Sequence, residues 1–121
     1  MSNKAVVSLN TGLEDTETVT VALLVAVGAA ETGRPTVMFL TKEAVRLAQR
    51  DIAVGSACDG CPALPDLLKR YEDAGGRLFV CPVCFNARQL DDSTLVSYAE
   101  IQGTVPLWEW VGEEGATAFT Y

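Results

Sequence analysis

The sequence contains no histidine. That removes the side chain most often used as a general base near neutral pH, and the commonest protein ligand for zinc. Acid–base or metal chemistry must therefore draw on Cys, Asp, Glu, Lys or Tyr. Basic residues are also scarce: nine Lys and Arg stand against sixteen Asp and Glu, a net charge of −7. An acidic surface excludes nucleic acid as the expected partner, because phosphate binding requires a basic face, and it disfavours anionic membranes equally. Long hydrophobic runs are missing too. The longest, Val19 to Ala30, is broken by Thr20 and Gly28, and it is shorter than the roughly 20 residues that span a bilayer. Glu14, Asp15 and Glu17 precede it, the wrong charge for a secretory leader. The expectation is a cytoplasmic chain with no membrane partner. Its four cysteines are then expected to be reduced, catalytic or metal-bound rather than paired as structural disulfides.

What is present is a core. The chain has 121 residues, 49% of them apolar, which suits one folded domain over residues 1–121. Residues 4–9, 36–40, 78–81 and 116–121 are short runs rich in β-branched and aromatic residues, expected as strands. Residues 97–101 fit either a strand or a helix. Residues 17–32 read as a helix capped by Asp15 or Thr16 and stopped at Gly33, and its apolarity on every side predicts deep burial. A second helix is expected from Thr41 to about Gln49. Leu64, Leu67, Leu68 and Tyr71 have the spacing of an amphipathic helix, and short helices are expected over 84–90 and 106–112. Alternating helices and doubly apolar strands predict an α/β fold with a mainly parallel sheet of about five strands, covered on both faces. Ligand sites in such sheets lie beyond the carboxyl ends of the strands. Residues 10–16, the Cys58–Cys61 loop and residues 81–88 occupy those ends.

Cys81 ends a predicted strand, and Pro82 suits the first position of a following helix. A thiol at a helix start faces free N–H groups and is favoured as the thiolate. Cys84 follows three residues later, and Arg88 lies one turn beyond it, where a guanidinium would further favour a thiolate. Two thiols and a guanidinium at a strand end suit sulfur transfer or dithiol exchange. The same residues also fit plain packing, since free cysteine is often simply buried.

Taken together, KAVVSLNTGLEDTETVTVALLVAVGAAETG, PTVMFLTKEAVRLA, LLKRYEDAGGRLFVCPVCFNARQL, EIQG and ATAFTY resemble the DsrE/DsrF-like proteins, which include TusD- and YchN-type members. The resemblance implies a three-layer α/β/α sandwich that assembles as a homo-trimer or hexamer. It also implies a sulfur relay, in which one cysteine carries a persulfide between sulfur donor and acceptor proteins. By position relative to Ala87-Arg88, the carrier falls on Cys81, and Cys84 matches a second cysteine found in some members. Gln89 stands where many members have Gly, and Cys58 and Cys61 lie outside the motif.

Three other readings compete. Cys58, Cys61, Cys81 and Cys84 have the spacing of a four-thiolate zinc or iron–sulfur site, although a helix and a buried strand lie between the pairs. On the sulfur-relay reading no cofactor is expected. Cys81-Pro82-Val83-Cys84 also has the spacing of a thioredoxin dithiol, but it follows a late strand rather than an early one. Finally, the chain reads as a non-catalytic subunit of an oligomer. Trp108 and Trp110 cannot both enter one core from a helix, so one faces an interface or closes a groove. Asn10-Thr11-Gly12 lacks the pattern of a phosphate loop.

Overall fold

The computed structural model describes residues 2–121. Strand β1 (Ala5–Leu9) leads into helix α1 (Thr16–Glu31) and strand β2 (Thr36–Leu40). A 3₁₀ segment (Lys42–Ala48) and a turn-rich loop lead to helix α2 (Leu64–Asp73) and strand β3 (Arg77–Val80). The short helix α3 (Pro82–Ala87) precedes strand β4 (Ala99–Ile101), helix α4 (Thr104–Val111) and strand β5 (Thr117–Thr120). The five strands form one sheet in the order β4-β3-β2-β1-β5, and every pairing is parallel. The chain is thus an α/β protein with the expected parallel sheet, and within residues 97–101 the last three form a short edge strand after a turn.

Crossover handedness distributes the helices. The steps β1 to β2 and β2 to β3 run in one direction, so right-handed crossovers place α1 and α2 on the same face. The step from β4 to β5 runs back across the sheet and places α4 on the other face. The hydrophobic clusters agree. Val7, Leu9, Met38, Leu40, Leu78 and Val80 pack with α1, α2 and Phe85 in the larger cluster. Val37, Phe39 and Phe79 form a small cluster covered by Leu107 and Trp110 of α4. Each fully buried Leu or Val contributes roughly 1.5–3 kcal/mol, so most of the stabilisation lies on the α1/α2 face. Tyr71 is fully buried there, and its hydroxyl donates to the Arg77 carbonyl at 2.7 Å.

Three expectations change. First, α1 is buried on one face only. Val19, Ala22, Leu23 and Ala26 face the core, but Val21 and Leu24 remain 42% and 44% exposed, because the sheet and α2 cover only the inner side. Second, all four residues of β5 are exposed, so the second face of the sheet is covered over part of its width by α4 alone. Third, the stretch after β2 is a 3₁₀ segment rather than an α-helix, and the Thr41 side chain makes no capping bond. Its buried residues Ala44, Val45, Leu47 and Ala48 repeat every three positions, the period of a 3₁₀ turn. Among the described residues no helix is long and apolar enough to cross a membrane.

Candidate functional site

The carboxyl ends of the strands form a continuous rim. The Thr41 N–H donates to the Leu9 carbonyl, Cys81 to Leu40, Gln102 to Val80, and Tyr121 to Ser8. Each strand therefore hands its outgoing chain to its neighbour, and the residues just past the strands line up along one edge. Cys81 is the first residue past β3. Leu78, Phe79 and Val80 before it are buried, which fixes where the strand stops.

Cys81 occupies the N-cap position of α3, Pro82 opens the helix, and the Phe85 N–H closes the first turn on the Cys81 carbonyl at 3.0 Å. Phe85 is 1% exposed and anchors this six-residue helix to the larger core. Cys81 and Cys84 are both free thiols and both half-buried. Cys81 packs against both hydrophobic clusters, and Cys84 against the larger one alone. Between them Val83 stands 74% exposed. Pro82 lies against Gly103, so the loop from β4 into α4 borders the site, and Val105 beyond it is 66% exposed. The thiols thus lie on an open rim with apolar neighbours. A 260 Å³ cleft lined by Leu47, Ile52, Val54, Leu68, Val96 and Tyr98 includes neither of them.

Arg88 has a different position from the one its spacing suggests. Its Nε donates to Glu43 Oε1 at 3.1 Å, and a terminal nitrogen donates to the Cys84 carbonyl at 3.1 Å. The guanidinium therefore ties the end of α3 to the 3₁₀ segment, and its hydrogen bonds go to oxygen rather than sulfur. Glu43 also accepts from Arg46 Nε at 2.6 Å. Arg46 first and Arg88 second hold the Glu43 carboxyl below its ordinary pKa of 4.5. The backbone of Glu43 lies so close to Gly12 that a Cβ there would meet its carbonyl oxygen, at 2.8 Å. Residues 10–16 thereby seat the segment that seats α3. The Gly12 N–H is itself bound by Glu14 Oε1 at 2.8 Å, so this loop is closed on its own side chain. Sequence spacing carried no signal for Glu43, because its partner lies 45 positions away.

The four-cysteine centre does not assemble. Cys58 and Cys61 are bonded to each other as a disulfide, with Cα atoms 5.1 Å apart. Among the described residues no three Cys, Asp or Glu side chains gather in a group able to hold a metal. A sulfur engaged in a disulfide is also no longer a thiolate ligand. The spacing predicts a shared site, but helix α2 and the buried strand β3 lie between the two pairs. The same bond departs from the expectation that the four cysteines are reduced, catalytic or metal-bound rather than paired. The thioredoxin-like reading also fails, since the free pair follows the third strand of an all-parallel sheet.

The tryptophans divide as their alternation requires. Trp110 packs edge-on to Phe79, with ring centroids 6.5 Å apart, and its carbonyl accepts from Lys4 Nζ at 2.6 Å. Trp108 points outward and is 70% exposed.

Comparison with known structures places this fold. The chain is similar to the ychN protein of E. coli, with 20% identity, a TM-score of 0.75, and 97% of this chain and 99% of that one covered. It is also similar to MTH1491 of Methanobacterium thermoautotrophicum, described as a protein of unknown function, with 12% identity, a TM-score of 0.68, and 99% and 100% covered. At such identities the likeness concerns the fold. No curated protein matches the chain. The model of the DsrE/DsrF-like family matches residues 3–119, nearly the whole length, and the chain therefore belongs to the DsrE/DsrF-like family.

Proposed function

We propose that this chain is a sulfur-relay protein that carries sulfane sulfur as a persulfide on Cys81. The observation that carries the reading is the free, half-buried Cys81 thiol at the end of β3, with a second free thiol three residues on. Membership of a family associated with sulfur relay supports it. In loading, the Cys81 thiolate attacks the outer sulfur of a donor persulfide. The donor S–S bond breaks, the donor leaves as a thiolate, and Cys81 keeps the sulfane sulfur. In unloading, an acceptor thiolate attacks that outer sulfur and Cys81 returns to the thiolate. Cys84 supplies a second exit: its thiolate attacks Cys81 Sγ, a Cys81–Cys84 disulfide forms, and hydrosulfide leaves. Arg88 acts here by fixing α3 through Glu43 and the Cys84 carbonyl. The exposed apolar side chain of Val83 suits contact with protein donors and acceptors.

Incubation with a polysulfide or thiosulfate donor, followed by intact mass spectrometry, tests the proposal. Wild type should gain the mass of one sulfur atom and Cys81→Ser should gain nothing. An unloaded wild type, or a loaded Cys81→Ser, overturns it. Cys84→Ser should load normally and hold its sulfur longer.

The relay protein is further proposed to work as a homo-oligomer, a trimer or hexamer as its family resemblance implies. Val21, Leu24, Trp108 and Phe119 are large apolar side chains left exposed on α1, α4 and β5, as expected of surfaces that self-associate. Light scattering at micromolar concentration decides this, and a monomer there overturns it.

A further inference from the structure

We propose that Cys58 and Cys61 form a second thiol site, independent of sulfur carriage: a redox-active pair that cycles between disulfide and dithiol with external thiols of the glutathione or thioredoxin class. The two residues are bonded to each other in the loop before α2, while the Cys81/Cys84 pair of identical spacing is free.

Three observations carry the inference. The first is that the turn has a backbone hydrogen bond of its own beside the sulfur bond. The Cys61 N–H donates to the Cys58 carbonyl at 3.0 Å, and Gly60 takes φ 75°, a conformation that glycine adopts without strain. The backbone therefore keeps the two cysteines together when they are reduced, which favours re-closure. Their Cα separation of 5.1 Å lies within the ordinary range for a disulfide.

The second is that the fold does little to protect the bond. Neither cysteine belongs to a hydrophobic cluster, and Asp59, Gly60 and Pro62 beside them are exposed. A disulfide enclosing only two residues also restricts the unfolded chain least, so folding adds little resistance to its reduction.

The third is that the two sulfurs have different surroundings. Cys58 Sγ lies 3.6 Å from the hydroxyl oxygen of Thr20, a residue 2% exposed on α1. Cys61 Sγ lies 3.7 Å from the Asp59 carbonyl oxygen in the turn and has no such hydroxyl among its hydrogen-bond partners, although both cysteines are half-buried. Attack is therefore directed to Cys61, and Cys58 is the leaving group. The Thr20 hydroxyl, which donates to the Thr16 carbonyl at 2.7 Å, can turn to donate to the departing thiolate.

The exchange balances. An external thiolate attacks Cys61 Sγ, the Cys58–Cys61 bond breaks, and Cys58 leaves as a thiolate. A second external thiolate then attacks the external sulfur of the mixed disulfide, and Cys61 leaves. Two electrons pass from the external thiols to the protein, the external thiols become a disulfide, and their two protons end on Cys58 and Cys61. Oxidised glutathione drives the reverse.

The test uses the Cys81→Ser/Cys84→Ser double variant, equilibrated in glutathione buffers from fully reduced to fully oxidised. Samples are acid-quenched and alkylated with N-ethylmaleimide, and adducts are counted by intact mass. The count should fall from two to none as the buffer becomes oxidising, with the same midpoint reached from either starting state. No adducts in any buffer would make the bond inert, and two adducts in every buffer would mean it does not form; each overturns the inference. Peptide mapping of the quenched wild-type chain gives the same readout if the double variant does not fold. Independence is checked with Cys58→Ser/Cys61→Ser, which should take up the same sulfur load as wild type; loss of loading there overturns the separation of the two sites. Should Cys81 carry no sulfur at all, the glutathione titration still stands or falls alone.

Discussion

The chain carries two C-x-x-C segments of identical spacing with opposite outcomes. Cys58 and Cys61 lie in a loop and are bonded. Cys81 and Cys84 straddle a strand end and the first turn of a helix, and they are free. Spacing alone therefore does not set the chemistry of a dithiol. What differs is the scaffold. The loop pair is held by one backbone hydrogen bond and a glycine turn. The strand-end pair is held by β3 on one side, Phe85 beneath, and the Arg88–Glu43 pair at the far end of α3.

Four experiments sharpen or break this contrast. The largest effect is chemical: Cys81→Ser should remove sulfur loading completely, whereas Cys58→Ser should leave it at the wild-type level. Next comes packing. Phe85→Ala should cost about 3–5 kcal/mol in urea denaturation, because a buried ring that holds the cysteine helix is lost. Reduction of the loop disulfide should cost less, about 2 kcal/mol by loop-closure entropy, with Cys58→Ser/Cys61→Ser matching the reduced wild type. A larger loss for the loop pair than for Phe85→Ala would reverse the ranking. The smallest effect is that of Glu43→Gln. Glu43 titrates below its ordinary 4.5 when folded, held down by Arg46 and then Arg88. Its contribution is therefore present above that pH and lost as pH falls through the lowered value. The stability gap between wild type and Glu43→Gln should be constant near neutrality and close on acidification. A gap that persists at low pH would show that the carboxylate charge is not what anchors Arg88.

Most of the fold was legible because parallel strands buried on both faces appear as mainly apolar runs, as β1, β2 and β3 do. Leu64, Leu67 and Tyr71 likewise announced the buried face of α2. The errors share a cause, which is that sequence patterns describe local periods and not partners. The apolarity of α1 was visible, but not that Val21 and Leu24 stay partly exposed. The strand character of β5 was visible, but not its exposure. At the candidate site, the strand-to-helix transition that singles out Cys81 and Cys84 in the sequence is present in the structure. The spacing points the Arg88 guanidinium at sulfur, whereas it bonds Glu43, which becomes its neighbour only once β2 and β3 pair. The four-thiolate reading failed for the same reason, since even spacing in the chain is not proximity in space.

The pairing of β5 with β1 has a consequence for synthesis. Ala5 to Ser8 pair with Thr117 to Thr120, so β1 is synthesised more than a hundred residues before the strand that pairs with it. Until then, β1 presents an open edge with Val6 and Val7 on it, a template for pairing with another nascent chain. Contacts this distant in sequence also form slowly, since a long loop must close before they contribute. Completion of the sheet thus waits until β5 is available, and the interval before it is when the edge of β1 is most exposed to aggregation.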